Sequence, residues 1–146
     1  MEAPTSATTP SRRRSVGPAG RVIAIEPIPA TRAVLEQNLA VNGVAGSVSI
    51  AGAAIGAEAA GTVRLSVARG MYGMGSRATP PGTETFDVEA TTLDELCRDL
   101  ARISMLKLDV EGAELDALRG AGRTLSRTRA VVVECNENAR EIEEPP

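Results

Sequence analysis

The stretch Leu106–Glu114, which reads LKLDVEGAE, constrains the fold of this chain more than any other. Three apolar residues alternate with three charged residues up to Glu111, and this alternation has the period of a β-strand. Gly112 ends the alternation, after which the apolar residues are spaced as on a helix. We therefore predict a strand over Met105–Glu111 that leads directly into a helix.

Lys107, Asp109 and Glu111 are the charged half of this alternation. At a rise of about 3.3 Å per residue, they would lie on one face of the strand with about 6.6 Å between successive side chains. A carboxylate at a strand end can accept or orient the proton of a substrate hydroxyl, and a nearby lysine can hold it ionised. A structural ion pair beside a helix-capping carboxylate explains the pattern equally well. Glu114 is predicted to be a first-turn helix residue that the helix dipole favours.

The composition excludes several kinds of site. The 146 residues include no histidine, which removes His-dependent triads, His metal ligands and imidazole bases. One Tyr, one Phe and no Trp leave no aromatic platform for single-stranded nucleic acid, and a net charge of −3 implies no general affinity for polyanions. Cys97 and Cys135 match no metal or redox spacing and are predicted to be reduced thiols. No stretch is long and apolar enough to cross a membrane, so we expect a cytoplasmic protein without membrane or nucleic-acid partners.

Apolar runs and helical stripes alternate along the chain. Apolar runs at residues 21–26 and 130–134 predict buried strands, and 48–50 and 105–111 predict two further strands. Three helices are predicted, one from Pro29 to Asn42-Gly43, one after the capping box at Thr92–Glu95, and one after Gly112 that ends at Gly120 and turns Leu115 and Leu118 inward. Residues 63–67 and 86–90 predict an antiparallel pair, joined by a long loop over 70–82 that contains Tyr72.

This order predicts an α/β fold with a mostly parallel sheet and helices on both faces. Ligands of such sheets bind beyond the carboxyl ends of the strands. We therefore expect one rim to contain the residues that end the strands, namely Glu26, the loop Ala53–Ile55, Asp109–Gly112 and Glu134. Residues 1–20 are predicted to be a disordered low-complexity tail, 21–136 the folded domain and 137–146 a polar tail.

Glu26 ends the first predicted strand. A carboxylate in that position can accept two hydrogen bonds from the vicinal hydroxyls of a ribose, as in nucleotide-binding folds. The alternative is a surface carboxylate that caps the following helix, where the helix dipole favours a negative charge. The residue type alone leaves both interpretations open.

Two segments together resemble FkbM-type methyltransferases. The first is GRVIAIEPIPATRAVLEQNLAVNG, with its Glu26-Pro27-Xaa-Pro29 element and the spacing of Asn38 and Asn42. The second is TTLDEL followed by MLKLDVEGAELDALRGAGRTL and by a strand that ends in Glu134. These motifs agree with the family in order and spacing over Gly20–Glu134, which is most of the chain.

The resemblance implies a Rossmann-like class I fold, S-adenosylmethionine as the cofactor, and methyl transfer to a hydroxyl of a small metabolite or a sugar. The cofactor-binding residues that it implies, at the ribose and near the adenine, are Glu26, Pro27, Ala54 and Ile55. The residues that it implies near the methionine end and the acceptor are Asp109, Lys107 and Glu111. Asp109 is the first candidate for the polar group nearest to the chemistry, and Lys107 is the second.

The chain departs from the family pattern in three places. Residues 1–20 contain neither the strand nor the glycine-rich turn expected before Arg21, Ala53 stands where a polar residue would recognise adenine, and little follows Glu134. We therefore expect a partial fold that lacks its first and terminal strands, binds the cofactor weakly or not at all, and associates with itself or a complementing chain through exposed sheet edges. The alternatives are an inactive fragment or interaction module, and a nicotinamide dinucleotide-binding fragment.

Overall fold

The computed structural model describes residues 17, 20–68, 75–76 and 83–134. The strands in this part of the chain are β1 (Val22–Ile25), β2 (Val48–Ala51), β3 (Ala53–Ile55), β4 (Gly61–Ala68), β5 (Gly75–Ser76), β6 (Thr83–Thr91), β7 (Leu106–Leu108) and β8 (Val131–Val133). The α-helices are α1 (Pro29–Val41), α2 (Leu93–Leu96), α3 (Glu114–Arg119) and α4 (Gly122–Leu125). A 3₁₀ turn spans Ala45–Ser47. No helix among these residues is long and apolar enough to span a membrane.

The described residues form two compact units. The first contains the residues up to Ala54 together with Val63–Glu89, and the second contains Ile55–Thr62 and the residues from Ala90 onward. β1 and β2 are a parallel pair in the first unit, and β7 and β8 are a parallel pair in the second. A four-stranded sheet has the order β3-β6-β4-β5. The chain is thus a mixed α/β protein, as predicted, and its sheets are partly parallel. The mostly parallel, Rossmann-like arrangement stays a prediction.

The core of the first unit lies between α1 and the β1–β2 pair. Leu35 and Leu39 are buried in one cluster with Ala24 and Val44. They are four residues apart on the helix, so they share the face that meets the sheet. The helix begins at Pro29 and ends at Asn42, as predicted.

Two apolar residues of α1 do not belong to the core. Val34 is 44% exposed and Val41 is 87% exposed. Each residue turns a helix by about 100°, so positions one before and two after a buried leucine point away from its face. The chain leaves the helix at Gly43, whose φ of 64° lies in the left-handed region and whose N–H donates to the Ala40 carbonyl at 3.0 Å.

Side-chain caps fix the short helices of the second unit. The Thr92 hydroxyl accepts a hydrogen bond from the N–H of Glu95 at 3.1 Å, which confirms the predicted cap of α2. Asp94 accepts from the N–H groups of Arg123 and Thr124 at 3.0 and 2.7 Å, so it caps α4 as well. Burial acts to raise the pKa of Asp94, but these backbone hydrogen bonds outweigh it and lower the pKa to about 2.

The direction in which α3 faces differs from the prediction. Leu115 is 37% exposed, whereas Glu114 and Ala117 are buried. Glu114 accepts hydrogen bonds from the N–H groups of Val110 and Gly112, so its side chain is held inward. Ala117 follows three residues later on the same face, and the prediction that Leu115 points into the core is wrong.

Other boundaries also differ from the prediction. The residues 53–55 form strand β3 instead of a loop, and the predicted loop at 70–82 contains the two-residue strand β5, which pairs antiparallel with β4. The remainder of that loop, with Tyr72, and both predicted tails lie mostly outside the described residues. β7 ends at Leu108, three residues before the predicted end at Glu111. β8 leaves Val131 and Val132 more than 40% exposed where a buried strand was predicted.

Gly120 packs tightly at the end of α3. A Cβ at this position would lie 2.3 Å from the Gly56 carbonyl oxygen and 3.1 Å from the Thr92 Cβ. The Gly120 carbonyl also accepts a hydrogen bond from the N–H of Asp94 at 3.0 Å. The backbone around Gly120 therefore has no space for a side chain.

We expect Gly120→Ala to lower the free energy of unfolding by about 1–3 kcal/mol, because the added methyl group forces the Gly56 backbone to move. Gly122→Ala is the matched control, since a Cβ at Gly122 would have no heavy atom within 4 Å. Urea unfolding of both variants and the parent chain measures the difference. Equal destabilisation by the two substitutions would contradict the packing described for Gly120.

The low pKa of Asp94 predicts a loss of stability in acid. An aspartate titrates near 3.9 in an unfolded chain and at about 2 in this fold, so its stabilisation is complete above about pH 4 and is lost as the pH falls through 2. Asp94→Asn should flatten this dependence and lower the free energy of unfolding at neutral pH by about 1–2 kcal/mol, because the charge and one of the two accepting oxygens are lost. Urea unfolding at a series of pH values tests it, with Asp99→Asn as control because that side chain is 91% exposed. An unchanged acid dependence in Asp94→Asn would disprove the cap.

Candidate active site

Glu26 follows β1 directly in the first unit. Its N–H donates to the Ala51 carbonyl at 3.0 Å, which extends the parallel ladder to the end of β2. Its Oε1 accepts a hydrogen bond from the N–H of Ile28 at 2.8 Å. Burial raises the pKa of Glu26, while the Ile28 hydrogen bond and the charge of Arg32 oppose that rise. The Oε1 contact fits the helix-capping interpretation, and ribose binding through Oε2 stays a prediction.

Arg32 brings a positive charge to the same strand ends. Its Nη1 donates to the Glu26 carbonyl at 3.4 Å, and a Cβ at Gly52 would lie 2.1 Å from Nη1. The guanidinium thus lies against the Gly52 backbone, just after β2. Sequence reasoning missed Arg32, although its place in the first turns of α1 puts it near the residues that precede that helix.

The other predicted cofactor-binding residues differ in their exposure. Pro27 and Ala54 are half-buried, and Ile55 is 7% exposed. Ala54 belongs to the first unit and Ile55 to the second, at a boundary inside β3. Their placement near an adenine stays a prediction.

The second unit brings two carboxyl groups together. β7 and β8 pair in register, with Leu108 opposite Val133, and the N–H of Glu134 donates to the Leu108 carbonyl at 3.0 Å. Parallel strands in register end at the same edge, so Asp109 and Glu134 are neighbours beyond that edge. Each carboxyl group shifts the pKa of the other, as expected for neighbouring carboxyls. The predicted meeting of these two strand ends is therefore observed, while a rim that also includes Glu26 stays a prediction.

Lys107 sets the charge of this carboxyl pair. Its Nζ contacts Oδ2 of Asp109, as expected for two side chains on one face of a strand. This contact lowers the pKa of Asp109 despite partial burial, and the hydrogen bond to Glu134 lowers it further. The pKa of Glu134 is raised, first by Asp109 and to a smaller extent by the charge of Glu111. Asp109 is therefore the carboxylate of the pair, and Glu134 takes up a proton more readily.

Glu111 lies in the turn after β7, outside the strand alternation. Its φ of 52° and the φ of 94° at Gly112 are both in the left-handed region. Glu114 holds this turn, because its carboxylate accepts from the N–H of Val110 at 3.0 Å and from that of Gly112 at 2.9 Å. The prediction that Glu111 shares a strand face with Lys107 and Asp109 is wrong, since the turn begins before it. Glu114 lies in the first helical turn, as predicted, and also binds the preceding turn.

No group of three Cys, Asp or Glu side chains among residues 20–68 and 83–134 is placed to hold a metal ion. The polar side chains available to a cofactor lie at two places in the described residues. The first is Glu26 with Arg32 after β1 and β2, and the second is Asp109 with Lys107 and Glu134 after β7 and β8.

Comparison with known proteins identifies one family. The methyltransferase FkbM domain matches residues 3–145, which is nearly the whole chain. The match agrees with the resemblance carried by the two sequence segments, and its range includes most of both predicted tails. No curated protein matches the chain, and no solved structure matches it.

The interaction between Asp109 and Glu134 can be tested without a ligand. Carbon-detected NMR titration of the side-chain carboxyls should place the pKa of Glu134 above its ordinary value and that of Asp109 below. In Asp109→Asn the pKa of Glu134 should fall back toward about 4.3, because its negative neighbour is gone. Asp99→Asn is the control and should leave Glu134 unchanged. A Glu134 titration that does not respond to Asp109→Asn would show that the two carboxyls do not interact.

Proposed function

Because the chain belongs to the FkbM methyltransferase family, we propose that it transfers a methyl group from S-adenosylmethionine to a hydroxyl oxygen of a small metabolite or a sugar. The observation that carries the proposal is the carboxylate of Asp109 beside Lys107 and Glu134 at the ends of two parallel strands. Ligands of parallel sheets bind at such strand ends. A carboxylate kept ionised by a lysine is suited to accept the proton that a hydroxyl loses when it is methylated.

Glu26 is the residue that fits the cofactor. Its half-buried carboxylate accepts the Ile28 N–H through Oε1, and a carboxylate has further acceptor sites that ribose hydroxyls can use. Arg32 donates to the Glu26 backbone carbonyl and helps to hold this strand end in place. Half-burial strengthens such a hydrogen bond, because less water competes for the carboxylate.

Each residue of the second group has a task in this proposal. When bound, S-adenosylmethionine supplies an electrophilic methyl carbon on a sulfonium sulfur. Asp109 would accept the proton that the acceptor hydroxyl loses as the methyl carbon exchanges its bond to sulfur for one to the hydroxyl oxygen, and Lys107 keeps Asp109 ionised beforehand. In this proposal Glu134, which lies beside Asp109 at the same strand edge, orients the Asp109 carboxylate. Positioning of the hydroxyl and exclusion of water supply the remainder of the rate enhancement.

Isothermal titration calorimetry of the whole chain with S-adenosylmethionine, into the millimolar range, tests the proposed cofactor binding. We expect saturable binding that Glu26→Gln weakens about tenfold or more, because a charged acceptor of ribose hydroxyls is lost. Glu36→Gln is the matched control, since Glu36 is an exposed residue of α1. An absence of saturable binding, or equal binding by Glu26→Gln, would overturn the cofactor assignment.

The same preparation tests the chemical step. Transfer of a labelled methyl group to a panel of hydroxylated metabolites and sugars should fall by about 100-fold in Asp109→Asn, the size expected for loss of a general base. Cofactor affinity should stay unchanged in this variant. A rate that falls together with cofactor affinity would assign Asp109 to binding instead of proton transfer.

A further inference from the structure

A cleft of about 500 Å³ opens in the second unit on the side of β7 and β8 from which the strands begin. It is lined by residues 101–104, which precede β7, and by residues 126–129, which precede β8. The two segments meet because the N–H of Ile103 donates to the Arg127 carbonyl and the N–H of Arg129 donates to the Ile103 carbonyl, both at 2.9 Å. The strand β7 separates this cleft from Asp109 by about 10 Å.

The arginines of this unit that form no ion pair with the described residues line the cleft. Three arginines line it, Arg102, Arg127 and Arg129, and no acidic residue does. None of the three has an ion pair within the part of the chain that the structure describes. The other arginines of the unit that form ion pairs there are Arg98 with Glu95 and Asp99, Arg119 with Asp116, and Arg123 with Asp94. The cleft therefore offers positive charge that no carboxylate of the described residues neutralises.

The hydrogen-bonding groups of the cleft favour a ligand whose polar atoms are all hydrogen-bond acceptors. Arg127 is anchored, since its Nε and Nη1 donate to the carbonyls of Arg123 and Leu100 at 3.1 and 2.7 Å. Arg102, Arg129 and Ser104 are exposed or partly exposed at the cleft, and their side chains have no hydrogen bond to the described residues. Two guanidinium groups and a hydroxyl are thus available as donors at one place.

We propose that this cleft binds the phosphate of a small phosphorylated molecule, with Arg102 and Arg129 as its main ligands and Ser104 as a further donor. A guanidinium pairs with phosphate through two parallel hydrogen bonds, and the phosphate has only acceptor oxygens. The cleft volume lies within the range of about 300–1,000 Å³ that small-molecule sites occupy. Nucleic acid is disfavoured, because no aromatic residue lines the cleft and the chain has a net charge of −3.

This site is separate from the one proposed for methyl transfer, and its test does not depend on catalysis. The whole chain, labelled with ¹⁵N, is titrated with sodium pyrophosphate and separately with ADP while amide shifts are recorded. We expect saturable shifts confined to residues 101–104 and 126–129 and their neighbours. The double variant Arg102→Gln, Arg129→Gln should weaken binding about tenfold or more. The double variant Arg64→Gln, Arg119→Gln removes the same two positive charges outside the cleft and should change binding less than about twofold.

A second double variant separates the effect of charge from that of guanidinium geometry. It also keeps the test valid if the glutamine pair does not fold. The pair Arg102→Lys, Arg129→Lys keeps both charges but removes the planar fork, so it should bind pyrophosphate more weakly than the parent and more strongly than the glutamine pair. No saturable binding of pyrophosphate or ADP by the parent chain would overturn the proposal. Equal binding by the glutamine pair would do the same, and so would binding of a single-stranded oligonucleotide in the absence of binding to either small ligand.

Discussion

The parallel pairing of β7 with β8 determines most of what the second unit can do. The in-register ladder brings Asp109 beside Glu134 at the edge where the strands end, and the segments at 101–104 and 126–129 together where the strands begin. One edge therefore receives two carboxyls and a lysine, and the other receives three arginines. A slip of one residue in this register would turn every side chain to the opposite face and would separate both groups.

Features that depend on neighbouring residues could be predicted from the sequence. The start of α1 at Pro29, its end at Asn42-Gly43 and the Thr92 cap follow from the chemistry of residues at most three positions apart. The pairing of Lys107 with Asp109 also follows, since alternate residues of a strand share a face. The family was identifiable for the same reason, because its motifs are short segments in a fixed order.

Features that depend on distant residues could not be predicted in this way. Asp94 caps a helix that begins about 30 residues later, and no local pattern indicates that contact. The inward turn of Glu114 was missed because the two N–H groups that it binds become available only after the chain has turned at Glu111. The candidate site was also predicted only in part. The rule for strand ends placed Asp109 beside Glu134 correctly. Arg32 was missed, because its contact with Gly52 joins a helix to the end of a strand.

The left-handed conformation of Glu111 has an implication for how this turn can evolve. A non-glycine residue with positive φ is conformationally unfavourable, and glycine would relieve the backbone there. The negative charge of Glu111 also helps to raise the pKa of Glu134. A glycine at position 111 would therefore favour the fold while lowering the affinity of Glu134 for its proton. Backbone stability and proton affinity make opposite demands on this one residue, so sequence drift toward the more stable turn would change the chemistry of the neighbouring carboxyl pair.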